Sequence, residues 1–137
     1  MLIQKPSKVS KHTIGCIITY KNKLLLLHRT KDNLWGSVAG SIKGSETKQE
    51  AAKREVKEEL GLKITPKFFT TTYHKYNNKN VAYHIFTYTL KENPYKLITL
   101  NKESHKFKLF GLAEALKLRL FEDEDYCLKL FAKKYLI

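Results

Sequence analysis

Cysteine is almost missing from this 137-residue chain: Cys16 and Cys127 are the two present, and they stand far apart. That scarcity excludes a thiolate zinc cluster and a disulfide framework, and it suits a reducing cytoplasm. Arginine is scarce as well. Of the 26 basic residues only Arg29, Arg54 and Arg119 carry the planar fork on which bidentate reading of phosphates and base edges depends. The formal charge of +13 is therefore a lysine charge spread along the whole chain. Such a charge suits a phosphate-rich partner in general, but it does not favour nucleic acid as the principal one. No apolar run approaches the roughly 18 residues that cross a bilayer. Met1-Leu2-Ile3 gives way to Gln4-Lys5-Pro6 too soon for a secretory leader. Phosphate-loop and nucleophilic-serine signatures are absent too. The expectation is a soluble, cytoplasmic protein with no membrane partner.

What is present is globular. Hydrophobic residues make up 42% and charged residues 28%, which is ordinary for a folded domain, and the length fits a single domain over residues 1–137. Residues 13–20 and 23–29 are nearly continuous apolar runs around Lys21-Asn22, which predicts a hairpin of strands covered on both faces. Residues 34–40 read as a short strand entering a turn. Thr47 and Glu50 form a capping box, and Gly61 supplies the left-handed stop of a helix over 48–60. Residues 64–76 and 81–91, rich in Thr, Tyr, Phe, Ile and Val, predict a long hairpin with its turn at Asn77–Asn80. A last strand over 106–110, a short helix over 112–118 and a terminal helix over 122–136 complete the order. Together they predict an α/β fold, a mixed β-sheet with helices on both faces.

The capped helix carries an unusual charge pattern. Glu55, Glu58 and Glu59 are spaced i, i+3 and i+4, so they fall within about a 100° arc of its surface. Like charges so placed repel by roughly 0.2–0.5 kcal/mol per pair on an exposed helix. An isolated pattern of this kind is an ordinary solvated face. Here it belongs to a longer one: Gly40, five residues, Glu46, seven residues, then Arg54-Glu55-Val56-Lys57-Glu58-Glu59-Leu60-Gly61-Leu62.

This segment resembles the signature of the Nudix hydrolase family and fits it at every specified position. Seven positions demand one residue type, so a chance match at a given start is on the order of 10⁻⁸. The closing pattern Phe107-x-x-Phe110-x-Leu112-x-Glu114-x-Leu116 and Trp35 ahead of the box are also similar to Nudix domains. One departure is Val38-Ala39-Gly40, where many members have Pro-Gly-Gly.

The resemblance implies a Nudix-type α/β/α sandwich, similar to MutT-like members, that hydrolyses a pyrophosphate bond with Mg²⁺ or Mn²⁺. It implies that Glu55, Glu58 and Glu59, with the carbonyl of Ala39, bind or orient the metal. Glu46 and Arg54 then tie the preceding loop to the helix, Gly40 permits the turn and Gly61 ends the helix. One of the glutamates, or a carboxylate from a later loop, takes a proton from the attacking water; Glu103 is the expected candidate, with Glu122 and Glu124 as alternatives. Arg29 is similar to family arginines that contact substrate phosphates, and Phe121 lies where MutT-like relatives read a base. The expected partner is a small-molecule nucleotide, with a (deoxy)nucleoside triphosphate cleaved to monophosphate and pyrophosphate as the leading substrate. An RNA 5′-pyrophosphohydrolase, a nucleotide-sugar or dinucleotide pyrophosphatase, and a non-catalytic nucleotide- or RNA-binding module stay open as rivals. The five histidines show no ligand spacing. Tyr73, Tyr76, Tyr83 and Tyr88 fall on strands, where sheet packing explains most of them.

Overall fold

The computed structural model describes residues 1–136. A two-residue strand that the sequence does not announce, β1 (Leu2–Ile3), leads to β2 (Lys11–Tyr20) and β3 (Lys23–Arg29). Lys21 and Asn22 both take positive φ, 47° and 65°, the mirror-image turn whose twist matches the strands it joins. Next come β4 (Trp35–Gly36), β5 (Val38–Ser41) and helix α1 (Lys48–Leu60). The second hairpin is β6 (Lys67–Tyr76) and β7 (Lys79–Leu90). Its turn is tighter than the expected four residues. Asn77 and Asn78 reverse the chain alone, at φ 50° and 63°, while Lys79 and Asn80 already pair with Tyr76 and Lys75. A 3₁₀ turn (Pro94–Lys96), β8 (Ser104–Phe110), a short α2 (Leu112–Ala115) and α3 (Glu124–Tyr135) follow. No described helix is long and apolar enough to cross a membrane.

The sheet runs β1-β6-β7-β2-β3-β4, with β5 added to β2 and β8 to β3. Among the described strands only β2 and β7 pair in parallel, over all ten residues from Lys11 to Tyr20. The opposite edge of β2 has two partners in succession: β5 opposite Thr13–Cys16, then β3 opposite Ile18–Tyr20. There β3 and β5 diverge, and the sheet forks.

Alternation along the strands divides the core. Ile14, Cys16, Ile18, Leu25 and Leu27 face Ala52, Val56 and Leu60 of α1. Ile17, Leu24, Leu26 and Ile85 face Leu128 and Phe131 of α3. The apolar runs of β2 and β3 are continuous because helices cover both faces. Ala52, Val56 and Leu60 are fully buried, and the two larger side chains contribute about 1.5–3 kcal/mol each. Their stripe fixes which side of α1 meets the sheet, and therefore where its glutamates point.

Candidate active site

α1 begins as its sequence dictates: the Thr47 hydroxyl accepts from the Glu50 amide at 3.1 Å, and the Glu50 carboxylate accepts from the Thr47 amide at 2.8 Å. It ends at Gly61, φ 70°, whose amide donates to the Lys57 carbonyl at 2.9 Å. With Glu50 held in the cap, Arg54 turns to the preceding loop. Its Nε and Nη2 donate to the two carboxylate oxygens of Glu46 at 2.6 and 3.0 Å, and Nη2 also donates to the Ser41 carbonyl at 2.9 Å. This fork holds the Glu46 carboxyl down at about 2. The remaining nitrogen, Nη1, reaches Glu55 at 2.8 Å and Glu58 at 3.3 Å. One arginine thus ties loop, helix and two of the three box carboxylates together.

The three glutamates have different environments. The Glu58 side chain is 47% exposed and turned to Arg54. Glu55 and Glu59, one helical turn apart, are 7% and 6% exposed and lie against each other. Gly40 makes the approach of Glu55 possible: a Cβ there would lie 2.1 Å from Glu55 Oε1. Glu59 accepts from the Ala39 amide, yet its Oε2 is buried with no hydrogen-bond partner. Burial, then the contact and charge of Glu55, then the charge of Glu103, push its carboxyl well above the usual range. Ala39 lies extended in β5 opposite Gly15, without the positive φ that a side chain disfavours. In a strand the amide and carbonyl of one residue point to the same edge, so the carbonyl of Ala39 points to the same side as the amide bonded to Glu59.

A cavity of about 540 Å³ opens where β3 and β5 diverge, and Ala39, Gly40 and Glu59 form one wall. Glu103 enters from the loop before β8. Its backbone is fixed twice: the carbonyl accepts from the Thr30 amide at 2.9 Å, and the amide donates to Asn101 Oδ1 at 3.0 Å. Arg29, at the end of β3, pairs with Asp32 at 3.0 Å and lays its guanidinium 4.5 Å from the Phe121 ring centre. Phe121 is held by its amide, which donates to the Trp35 carbonyl at 2.9 Å.

The structure therefore gathers Ala39, Gly40, Glu55, Glu59 and Glu103 in or beside the cavity, with Arg29 and Phe121 stacked on its wall. Glu58 is not gathered with them, and among the described residues no three acids, histidines or cysteines converge as a closed metal cage. Glu46, Arg54 and Gly61 lie behind, in the frame. Of the four strand tyrosines, Tyr76 and Tyr83 line the cavity and Tyr73 and Tyr88 do not. Sequence reading gave no special place to Ser37 or His74. His74 is 1% exposed, hydrogen-bonded to Thr72 Oγ1 at 2.7 Å and to Asp123 Oδ2 at 2.9 Å. Glu124 is 5% exposed, its Oε1 accepting from the Ser37 amide at 3.0 Å and hydroxyl at 2.6 Å. As the first residue of an acidic helix turn it carries no sequence signal that separates it from a dipole partner.

An all-oxygen anionic donor set with an orphaned buried carboxylate oxygen fits a hard divalent cation, which would stabilise what the helix leaves repelling. Comparison with known proteins points to one family. The NUDIX domain family model matches residues 10–131. An uncharacterised Nudix hydrolase of Listeria monocytogenes is 49% identical over 55 residues, 36% of this chain and 32% of that protein. Phosphatase NudJ of Escherichia coli is 36% identical over 59 residues, 42% of this chain and 39% of its own length. The match thus spans about a third of each curated relative. The MutT protein from Methanosarcina mazei Go1 superposes with a TM-score of 0.78 at 19% identity, covering 95% of this chain and 98% of the other; that likeness is one of fold. With the family model running from the start of β2 into α3, and the box carried intact on α1, the chain belongs to the Nudix family.

Proposed function

We propose that this chain, acting as one unit over residues 1–137, is a metal-dependent pyrophosphohydrolase of a nucleoside-diphosphate-linked substrate. Within that class, the reading is a (deoxy)nucleoside triphosphate cleaved to monophosphate and pyrophosphate. The observation that carries it is Glu59, a carboxylate buried against Glu55 with one oxygen unpartnered. Such an arrangement costs stability unless a cation completes it. Glu55, Glu58 and Glu59 with the Ala39 carbonyl would hold Mg²⁺ or Mn²⁺, Glu58 leaving Arg54 to do so. When bound, such an ion neutralises phosphate oxygens and lowers the pKa of water.

The remaining steps belong to the chain. Glu103, free of ion pairs among the described residues and fixed beside Glu59, accepts the proton of the attacking water. The water oxygen bonds to phosphorus as the bridging P–O bond breaks, and pyrophosphate leaves with those electrons. Arg54 positions Glu55, and Arg29 with Phe121 faces the nucleotide. The fork in the sheet supplies the room, and its volume lies in the range of small-molecule sites.

The test is a screen of nucleoside triphosphates, nucleotide sugars, dinucleoside polyphosphates and 5′-triphosphorylated RNA with Mg²⁺ and Mn²⁺, resolving the phosphate products. Monophosphate plus pyrophosphate from a free triphosphate is expected, and Glu58→Gln should lower its kcat/KM on the order of a hundredfold or more. Products from the sugar, dinucleotide or RNA substrates alone would move the assignment to that class. Nucleotide binding without hydrolysis, unaffected by Glu58→Gln, would make the chain a binding module.

A further inference from the structure

Away from the cavity the sheet ends on an open edge. β8 pairs with β3 along one side, and among the described residues no strand pairs with its other side. In an antiparallel strand every second residue turns both its amide and its carbonyl away from the partner. From His105 to Phe110 no described backbone group finds a backbone partner outside the sheet. Such an edge is a template for one more strand.

The two sides of this edge differ in chemistry. Side chains alternate along a strand, so Lys106 and Lys108 share one face and Phe107 and Leu109 the other. The apolar side continues into solvent beyond the strand. Tyr95, 54% exposed, stacks on Phe107 with ring centres 4.9 Å apart, and Leu97 lies exposed on the same loop. On the basic side Lys106 stands over the Trp35 ring and opposite His28, and Lys108 stands opposite Leu26. The neighbouring strand therefore offers neither lysine an acid, and every ion pair among the described residues lies elsewhere. None of these side chains lines the cavity.

Lysine on an edge strand repels a copy of that strand. A second copy paired antiparallel would set the lysines of one chain against those of the other, and like charges directly opposite are unfavourable. The complement of this edge is a strand that alternates acidic with apolar side chains. We propose that β8 is a docking edge for an extended acidic segment of a partner protein, which joins the sheet beyond β8 with its carboxylates over Lys106 and Lys108 and its apolar side chains against Phe107, Leu109 and Tyr95. Main-chain hydrogen bonds supply the affinity, and the alternation fixes the register. Charge complementarity selects the occupant, and covering the exposed aromatic pair adds apolar burial. The inference is independent of what the cavity hydrolyses.

A fluorescein-labelled heptapeptide, Glu-Val-Glu-Val-Glu-Val-Glu, tests it, titrated into the full chain by fluorescence anisotropy. The salt is about 0.15 M, which limits diffuse attraction to the positive chain to about 8 Å. The peptide is expected to bind roughly tenfold or more tightly than one of the same composition with its glutamates and valines in separate blocks. It should also slow amide hydrogen exchange within residues 104–110. Lys106→Glu combined with Lys108→Glu should weaken binding roughly tenfold. Lys5→Glu combined with Lys8→Glu makes the same change in charge on exposed residues between β1 and β2, at the other end of the sheet, and should alter binding less than about twofold. Equal binding of the two peptides, equal losses in the two double variants, unchanged exchange at β8, or a dimer of the protein alone that protects β8 overturns the assignment. The peptide comparison uses the wild-type chain, so a folding defect in a variant leaves the test intact. Hydrolysis is not the readout, so failure of the proposed function leaves this inference standing.

Discussion

At the scale of single residues the governing fact is that three glutamates of similar spacing have three different fates. Glu58 is solvated and paired, Glu55 is held by Arg54, and Glu59 is buried beside it with an orphaned oxygen. The consequence for stability follows from the sign of the shift. Glu59 binds its proton more tightly folded than unfolded, where its ordinary value is near 4.5. The metal-free protein therefore loses stability as pH rises above that value, up to the raised folded one. Glu59→Gln removes the charge and should stabilise the metal-free fold at neutral pH by about 1 kcal/mol, flattening the decline of Tm with pH while hydrolysis falls. A Tm that drops in the variant at pH 7 would show that Glu59 is satisfied without a cation. Adding Mn²⁺ should raise the wild-type Tm and leave that of the variant nearly unchanged.

At the scale of elements, the box is a loop and a helix joined by one arginine, and its two glycines serve different ends. Gly40 has ordinary φ and is small because Glu55 Oε1 occupies the place of its Cβ, 2.1 Å away. Gly61 is at φ 70° and has room for a side chain, its nearest neighbour being 3.4 Å off. Gly40→Ala should therefore displace the carboxylate and lower kcat on the order of a hundredfold, for a modest fall in Tm. Gly61→Ala should cost about 1 kcal/mol of stability and leave kcat near wild type. Parallel kcat and Tm measurements on the two variants decide it; equal effects on kcat would contradict this division. The helix itself was legible because cap, stop and apolar stripe are local signals. The strand β1 was not, because two residues pairing with Tyr73 and His74 leave no periodicity to read. α2 stops at Ala115, short of the expected Leu118, as the chain turns to bring Leu120 beside Trp35.

At the scale of the whole molecule, charge and sheet topology act together. Lys11, Arg29 and Lys31 line a cavity that also holds Glu59, Glu103 and Glu124, so a substrate meets anionic walls inside a chain of net charge +13. The overall field draws a polyphosphate toward a cavity whose acidic interior alone would repel it. Raising ionic strength from about 0.01 to 0.15 M shortens the screening length from about 30 to 8 Å. The KM for a triphosphate should then rise several-fold with kcat little changed. A KM indifferent to salt would make the lysine surface a bystander.

The sequence by itself determined the family, the helix and the residues of its box, because a signature with a capped helix is written in contiguous positions. It also determined that the strands read at 13–20 and 23–29 would be covered on both faces, since their apolar runs have no polar side. The tertiary structure alone decided which acids meet. Glu55 and Glu59 are brought together by helix phase against the sheet, Glu103 arrives on a loop tied to Thr30, and Glu124 is joined to Ser37 across 87 positions of chain. Tyr83 was separated from Tyr73 and Tyr88 by the pairing of β6 with β7, which sets Tyr83 on one face of the sheet and the other two on the opposite one. Burial and long-range pairing are properties of where chain segments cross, and residue type in sequence order carries no record of that crossing.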